Sequence, residues 1–144
     1  MKILILNGPN LNLLGKREPE IYGSQSFDEF FEDLQKKFPG LDLTHYQSNH
    51  EGDLIDKLHE VGFSHEGVVF NPGAYTHTSI ALRDAVAGID TPVFEIHISR
   101  LADREYFRQR SFIREVCVGS IDGKGLEGYI YAIDRLLDGS KANK

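Results

Sequence analysis

The chain has 144 residues, of which 40% are hydrophobic and 26% charged, and carries a net charge of −6. That length suits one domain, residues 1–144, with a core of its own; the acidity excludes general nucleic-acid binding, and no apolar run nears the roughly 20 residues of a membrane helix. The apolar start, Ile3 to Leu6, is shorter than the roughly 7–15 residues of a signal peptide, and the single Cys117 has no disulfide partner within the chain, so a reducing cytoplasmic setting is expected.

Ile3-Leu4-Ile5-Leu6 is a continuous apolar run of the kind that forms a buried parallel strand. An Asn/Gly-rich turn follows it directly, from Asn7 to Gly15, and then the segment Lys16 to Gly23. Phe27, Phe30, Phe31, Leu34 and Phe38 recur at helical spacing, with Ser26 or Ser24 as the cap and Pro39-Gly40 as the stop. Leu41 to Tyr46 alternates as a second strand, and Leu54, Ile55, Leu58 and Val61 mark a second helix closed by Gly62. Gly67 to Asn71 reads as a third strand, followed by a helix that begins near Thr76 or His77 and carries Ile80, Ala81, Leu82, Ala85 and Val86. Thr91 to His97 is a fourth strand, and Arg104 to Arg110 a charged turn or short helix. Val116 to Gly119 is expected as the fifth strand, with Cys117 as a buried small apolar residue in it. The last helix covers Leu126 to Leu137, and residues 139–144 form a frayed tail. Strands alternating with helices imply an α/β, flavodoxin-like, doubly wound parallel sheet of five strands, order 2-1-3-4-5, with helices on both faces.

In such a sheet ligands sit beyond the carboxyl ends of the strands. There the first strand delivers Asn10 and the Arg17/Tyr22 segment, the third delivers Asn71 to Ser79, and the fourth delivers Glu95, His97, Ile98 and Ser99, then Arg100, Arg104 and Arg108. Each has an ordinary reading by itself: Asn71-Pro72-Gly73 as a turn, Thr76, Thr78 and Ser79 as helix caps, the arginines as a solvated face. Glu95 and His97, alternating with Phe94 and Ile96, are expensive in a central parallel strand unless they have a task. The convergence of amide, imidazole, hydroxyl and guanidinium groups at one sheet edge favours a functional site. A dinucleotide-type Gly-x-Gly-x-x-Gly and a Walker-type lysine loop are both missing after the first strand.

The stretches Asn7 to Gly23 (NGPNLNLLGKREPEIYG), Gln47 to Asp53 (QSNHEGD), Asn71 to Asp84 (NPGAYTHTSIALRD), Glu95 to Ser99 (EIHIS) and Arg104 to Arg108 (REYFR) together resemble type II 3-dehydroquinate dehydratase, the small dehydroquinase of the shikimate pathway. The resemblance runs in order along essentially the whole chain. It implies a hydro-lyase that needs no cofactor and no metal, converting 3-dehydroquinate to 3-dehydroshikimate by anti elimination through an enolate. By the same resemblance Tyr22 is the base, Arg17 stabilises its anion, Asn10 holds the developing enolate oxygen, His97 is the general acid, and Glu95 supports His97. Ile98 and Ser99 bind the substrate carboxylate, Asn71, His77 and Arg108 the ring hydroxyls, and Asp84 reaches a neighbouring subunit's site. Residues 16–24 are the expected lid. The implied assembly is a homo-oligomer of trimers, commonly a dodecamer, with no nucleic-acid or membrane partner.

Three positions depart from the common family pattern: Arg100, Ala102 and Arg110. None falls on a core catalytic role, and the added positive charge at Arg100 is expected to strengthen the field for an anionic substrate. Two competing readings are a Schiff-base dehydratase, for which the lysines are poorly placed in loops, helix faces and the tail, and a flavin or phosphate carrier. His45, His50, His59 and His65 form no metal-ligand spacing with His77 and His97.

Overall fold

The computed structural model of the protein describes residues 1–16, 20 and 24–142. Its strands are β1 (Lys2–Asn7), β2 (Asp42–Gln47), β3 (Gly67–Asn71), β4 (Val93–Ile96) and β5 (Gly119–Ile121). They form a five-stranded sheet in the order β2-β1-β3-β4-β5, parallel throughout, as expected. The helices among the described residues are α1 (Phe27–Lys37), α2 (Glu51–Val61), α3 (Ile80–Ala87) and α4 (Glu127–Ala142).

The two-residue period of β1 divides the core. Ile3 and Ile5 face a cluster with Phe27, Phe30 and Leu34 of α1 and Tyr129, Ile133 and Leu136 of α4. Leu4 and Leu6 face the opposite cluster, with Leu54 and Leu58 of α2 and Leu82 and Val86 of α3. Each strand residue therefore has an apolar partner on whichever face it points to, which is why β1 and β3 read as unbroken apolar runs. Ser26 caps α1 by accepting the Glu29 N–H at 3.2 Å, and Asp28 and Glu29 at its start and Lys36 and Lys37 at its end complement its dipole.

Several boundaries differ from those expected. A 3-10 turn over Gly73–His77 precedes α3, and Ser79 is the cap, accepting the Leu82 N–H at 2.9 Å, so the helix starts later than Thr76 or His77. The fifth strand lies over Gly119–Ile121; Val116 ends a 3-10 turn, Arg114–Val116, and Cys117 follows that turn, half-buried, outside the strand. The physical reason is Phe94: a side chain at position 119 would strike its ring, so pairing with β4 requires the glycine, while before it Val116 and Cys117 pack against the core from the turn and Val118 is exposed. Helix α4 continues to Ala142, past Leu137 and into the segment expected to be tail.

Candidate active site

The loops after β1 and β3 interlock. The Gly8 N–H donates to the Asn71 carbonyl at 2.7 Å, and a Cβ at Gly8 would collide with the Pro72 carbonyl. Gly73 has φ +62, and its N–H donates to Asn71 Oδ1 at 3.1 Å. Asn10 has a left-handed backbone, φ 70, the one non-glycine with positive φ among the described residues. Its N–H donates to Asn49 Oδ1 at 3.0 Å, Gln47 donates to the Gly8 carbonyl at 3.1 Å, and the Tyr75 hydroxyl donates to the Asn49 carbonyl at 2.9 Å. The QSNHEGD segment thus acts as a clamp that holds Asn10 in a strained conformation at the pocket rim.

Beneath these loops lies a buried polar chain whose direction follows from one backbone donor. Gly73 N–H can only donate, so the oxygen of the Asn71 amide faces it and Nδ2 faces Tyr129, donating to Oη at 3.2 Å. The Tyr129 hydroxyl then donates to Asn7 Oδ1 at 2.7 Å, which turns Asn7 Nδ2 toward His45 Nε2 at 3.3 Å. His45 accepts there and is the neutral Nδ1–H tautomer. Burial holds its pKa below the usual imidazole value, against a weaker opposing pull from Asp28. Burial likewise pushes the Tyr129 phenol far up, with its bonds to Asn71 and Asn7 opposing.

At the end of β4, Glu95 and His97 point to one face, both buried, and Glu95 Oε2 is bonded to His97 Nε2. With Nε2 so engaged, Nδ1 is the ring nitrogen left for proton transfer to a ligand. The other Glu95 oxygen accepts the Ser111 hydroxyl at 3.0 Å. The His77 ring lies beside that of His97, centroids 6.4 Å apart and planes 27° from parallel. His77 Nδ1 donates to the Arg110 carbonyl at 2.7 Å, leaving Nε2 as an acceptor. Burial lowers the His77 pKa and the charges of His97 and Arg108 push the same way, while the bond to Arg110 opposes them. After β4 the Ile98 and Ser99 carbonyls accept from Gly125 and Gly123, each at 3.1 Å, and Ser99 Oγ accepts from Arg104 at 3.0 Å.

These groups enclose a cavity of about 100 Å³, lined by Asn10, Asn71, His77, His97, Ile98, Ser99, Arg104 and Arg108 among others. Of the residues expected from strands one, three and four, Asn10, Asn71, His77, His97, Ile98, Ser99, Arg104 and Arg108 thus line one cavity. Glu95 stands behind His97 rather than in the lining. Asp84 sits exposed on α3, and Arg100 is exposed beside Gly123, both outside the lining of this cavity. Arg17 and Tyr22 lie outside the described residues. Asn7, Asn49, Ser111 and Tyr129 were missed by sequence reasoning. Asn49 carried a signal as part of QSNHEGD; the others are ordinary residue types whose partners are distant in the chain. Among the described residues no group of three or more His, Cys, Asp or Glu is placed to hold a metal ion, and no helix is long and apolar enough to cross a membrane.

A doubly wound parallel sheet with a buried carboxylate–imidazole pair in a polar crevice at its carboxyl edge is the framework of an acid–base enzyme. The family model for class II dehydroquinase matches residues 1–137, and the chain belongs to that family. It is 53% identical over 139 residues to the 3-dehydroquinate dehydratase of Exiguobacterium sp., covering 96% of this chain and 95% of the relative. It is 55% identical over 136 residues to that of Bacillus pumilus, covering 93% and 92%. The crystal structure of the type II dehydroquinase from Butyrivibrio crossotus superposes with a TM-score of 0.91 at 48% identity, covering 94% of this chain and 97% of that one.

Proposed function

We propose that this protein dehydrates 3-dehydroquinate to 3-dehydroshikimate by anti elimination through an enolate, without cofactor or metal. The single observation that carries the reading is the buried Glu95–His97 pair at the cavity wall, in a chain of this family. Tyr22, as the phenolate favoured by Arg17, removes the proton beside the ketone. The electron pair passes to the carbonyl oxygen, which Asn10 stabilises. Collapse of the enolate expels the hydroxyl, which takes a proton from His97 Nδ1 and leaves as water, giving the conjugated enone. Glu95 balances the charge on His97 and holds its orientation. Ile98 and Ser99 receive the substrate carboxylate, with Arg104 orienting the Ser99 hydroxyl; Asn71, His77 and Arg108 receive the ring hydroxyls.

The chain works as a homo-oligomer of trimers assembling into a dodecamer. The exposed position of Asp84, away from its own cavity, suits a residue that completes a neighbour's site. The lone half-buried Cys117, its thiol pushed up by burial and by the nearby Glu95 charge, suits a reducing cytoplasm.

The test is ultraviolet absorbance of the enone on mixing chelator-treated protein with 3-dehydroquinate. Tyr22→Phe and His97→Ala should each lose roughly 10²–10⁴-fold in kcat, the range for a general base or acid. Turnover near the parent's in either variant removes that residue from the mechanism; absence of enone from folded, assembled protein removes the activity itself.

A further inference from the structure

We propose that Ser111 is a positioning residue for the reaction, acting through Glu95 on the orientation and charge of His97. This rests on the reading of Glu95 and His97 as the acid couple. Ser111 Oγ accepts the N–H groups of Ile113 and Arg114, each at 3.2 Å. A hydroxyl has two lone pairs and one hydrogen. With both lone pairs engaged by obligate donors, the hydrogen has one direction left, toward Glu95 Oε1 at 3.0 Å. The serine is locked as a donor, and it passes the positive ends of two peptide dipoles at the start of the Arg114–Val116 turn to a fully buried carboxylate.

The segment around it is anchored on both sides. The Arg110 carbonyl accepts from His77, the Phe112 N–H donates to the Thr76 carbonyl at 3.0 Å, and the Phe112 carbonyl accepts from Arg83 at 2.8 Å. Arg110, Ser111 and Phe112 thus form a strap tying the turn after β3 to the end of β4. Arg110 contributes its backbone there, while its side chain lies over the Phe112 ring at 5.1 Å. The two histidines keep their mutual placement because one strap holds both, one by a carbonyl and the other through Ser111 and Glu95.

Ser111 is not among the residues that line the cavity, so its removal should appear in turnover and spare binding. Ser111→Ala is expected to lower kcat about 10-fold or more with KM within about twofold. Ser111→Thr, which keeps the hydroxyl, should restore most of kcat. Ser111→Cys, close in volume but a weak donor, should behave as the alanine variant does and covers the case in which alanine folds poorly. Melting temperature is measured on all three. A kcat within twofold of the parent in Ala or Cys, a KM that rises as much as kcat falls, or a threonine variant as slow as alanine would each overturn the proposal. His97→Ala serves as the control. Full activity there defeats the acid assignment itself, whereas loss in His97→Ala with none in Ser111→Ala defeats only the role of Ser111.

Discussion

Tyr129→Phe removes one oxygen from the centre of the core and strands two others' partners. The ring of Tyr129 is wholly buried against Phe27 and Phe30, at centroid distances of 5.1 and 5.9 Å, and phenylalanine keeps that packing. The lost hydroxyl, however, joins Asn7 Oδ1 to Asn71 Nδ2, and both amides are buried. A buried polar group left without a partner costs about 1–3 kcal/mol, so two stranded groups cost about 2–6 kcal/mol. A central value of about 4 kcal/mol lowers the melting temperature by about 8–16 °C for a domain of this size. Guanidinium titrations at fixed protein concentration should show a lower midpoint with an unchanged slope. The same variant should also flatten the alkaline limb of the stability curve. Because burial raises the folded phenol's pKa, the folded state holds its proton where the unfolded state has lost it, so stability falls as pH rises above about 10. A loss below about 0.5 kcal/mol near neutral pH would refute the view that Asn7 Oδ1 and Asn71 Nδ2 depend on this hydroxyl for their pairing.

Other expectations follow from the same geometry. Gly8→Ala forces a methyl group against the Pro72 carbonyl and should separate the two loops, costing about 1–3 kcal/mol and a larger share of kcat than of fold, read by paired melting and kinetic measurements. His45 is held neutral in the folded state, so the unfolded state binds its proton first as pH falls, and stability is lost below about pH 6.5; His45→Gln should reduce that slope, measured by denaturant midpoints between about pH 7 and 5. Arg100 lies outside the cavity lining and can act only through its field, so Arg100→Asn should raise KM about two- to threefold at low salt and have little effect above about 0.15 M, where screening removes the difference. An equal KM for parent and variant at low ionic strength would assign Arg100 no part in attracting substrate.

What the sequence made legible depended on whether a residue's reason was local. The strand β1 was plain because both faces of it are covered, which leaves an unbroken apolar run. Glu95 and His97 stood out because two ionisable groups in a central strand conflict with burial. The fifth strand was placed too early because Val116-Cys117-Val118 has strong strand propensity, while the real strand starts at a glycine chosen by the Phe94 ring. The start of α3 was ambiguous among several hydroxyl residues, and only the intervening 3-10 turn decided for Ser79. Tyr129 and Asn7, 122 positions apart, carry no local sign of their bond. Ser111 looks like any loop serine until the two N–H groups on its oxygen are seen.

The Asn7-Gly8 junction also bears on how the protein ages. In an Asn-Gly pair the glycine nitrogen readily attacks the preceding side-chain amide, closing a succinimide that opens to aspartate or isoaspartate. Here that nitrogen is already committed to the Asn71 carbonyl, and the Asn7 amide is held between Tyr129 and His45. The fold that builds the pocket therefore also shields its most fragile peptide link from spontaneous deamidation. Partial unfolding exposes that link, so the accumulation of isoaspartate at position 7 would record how often the loops of β1 and β3 come apart.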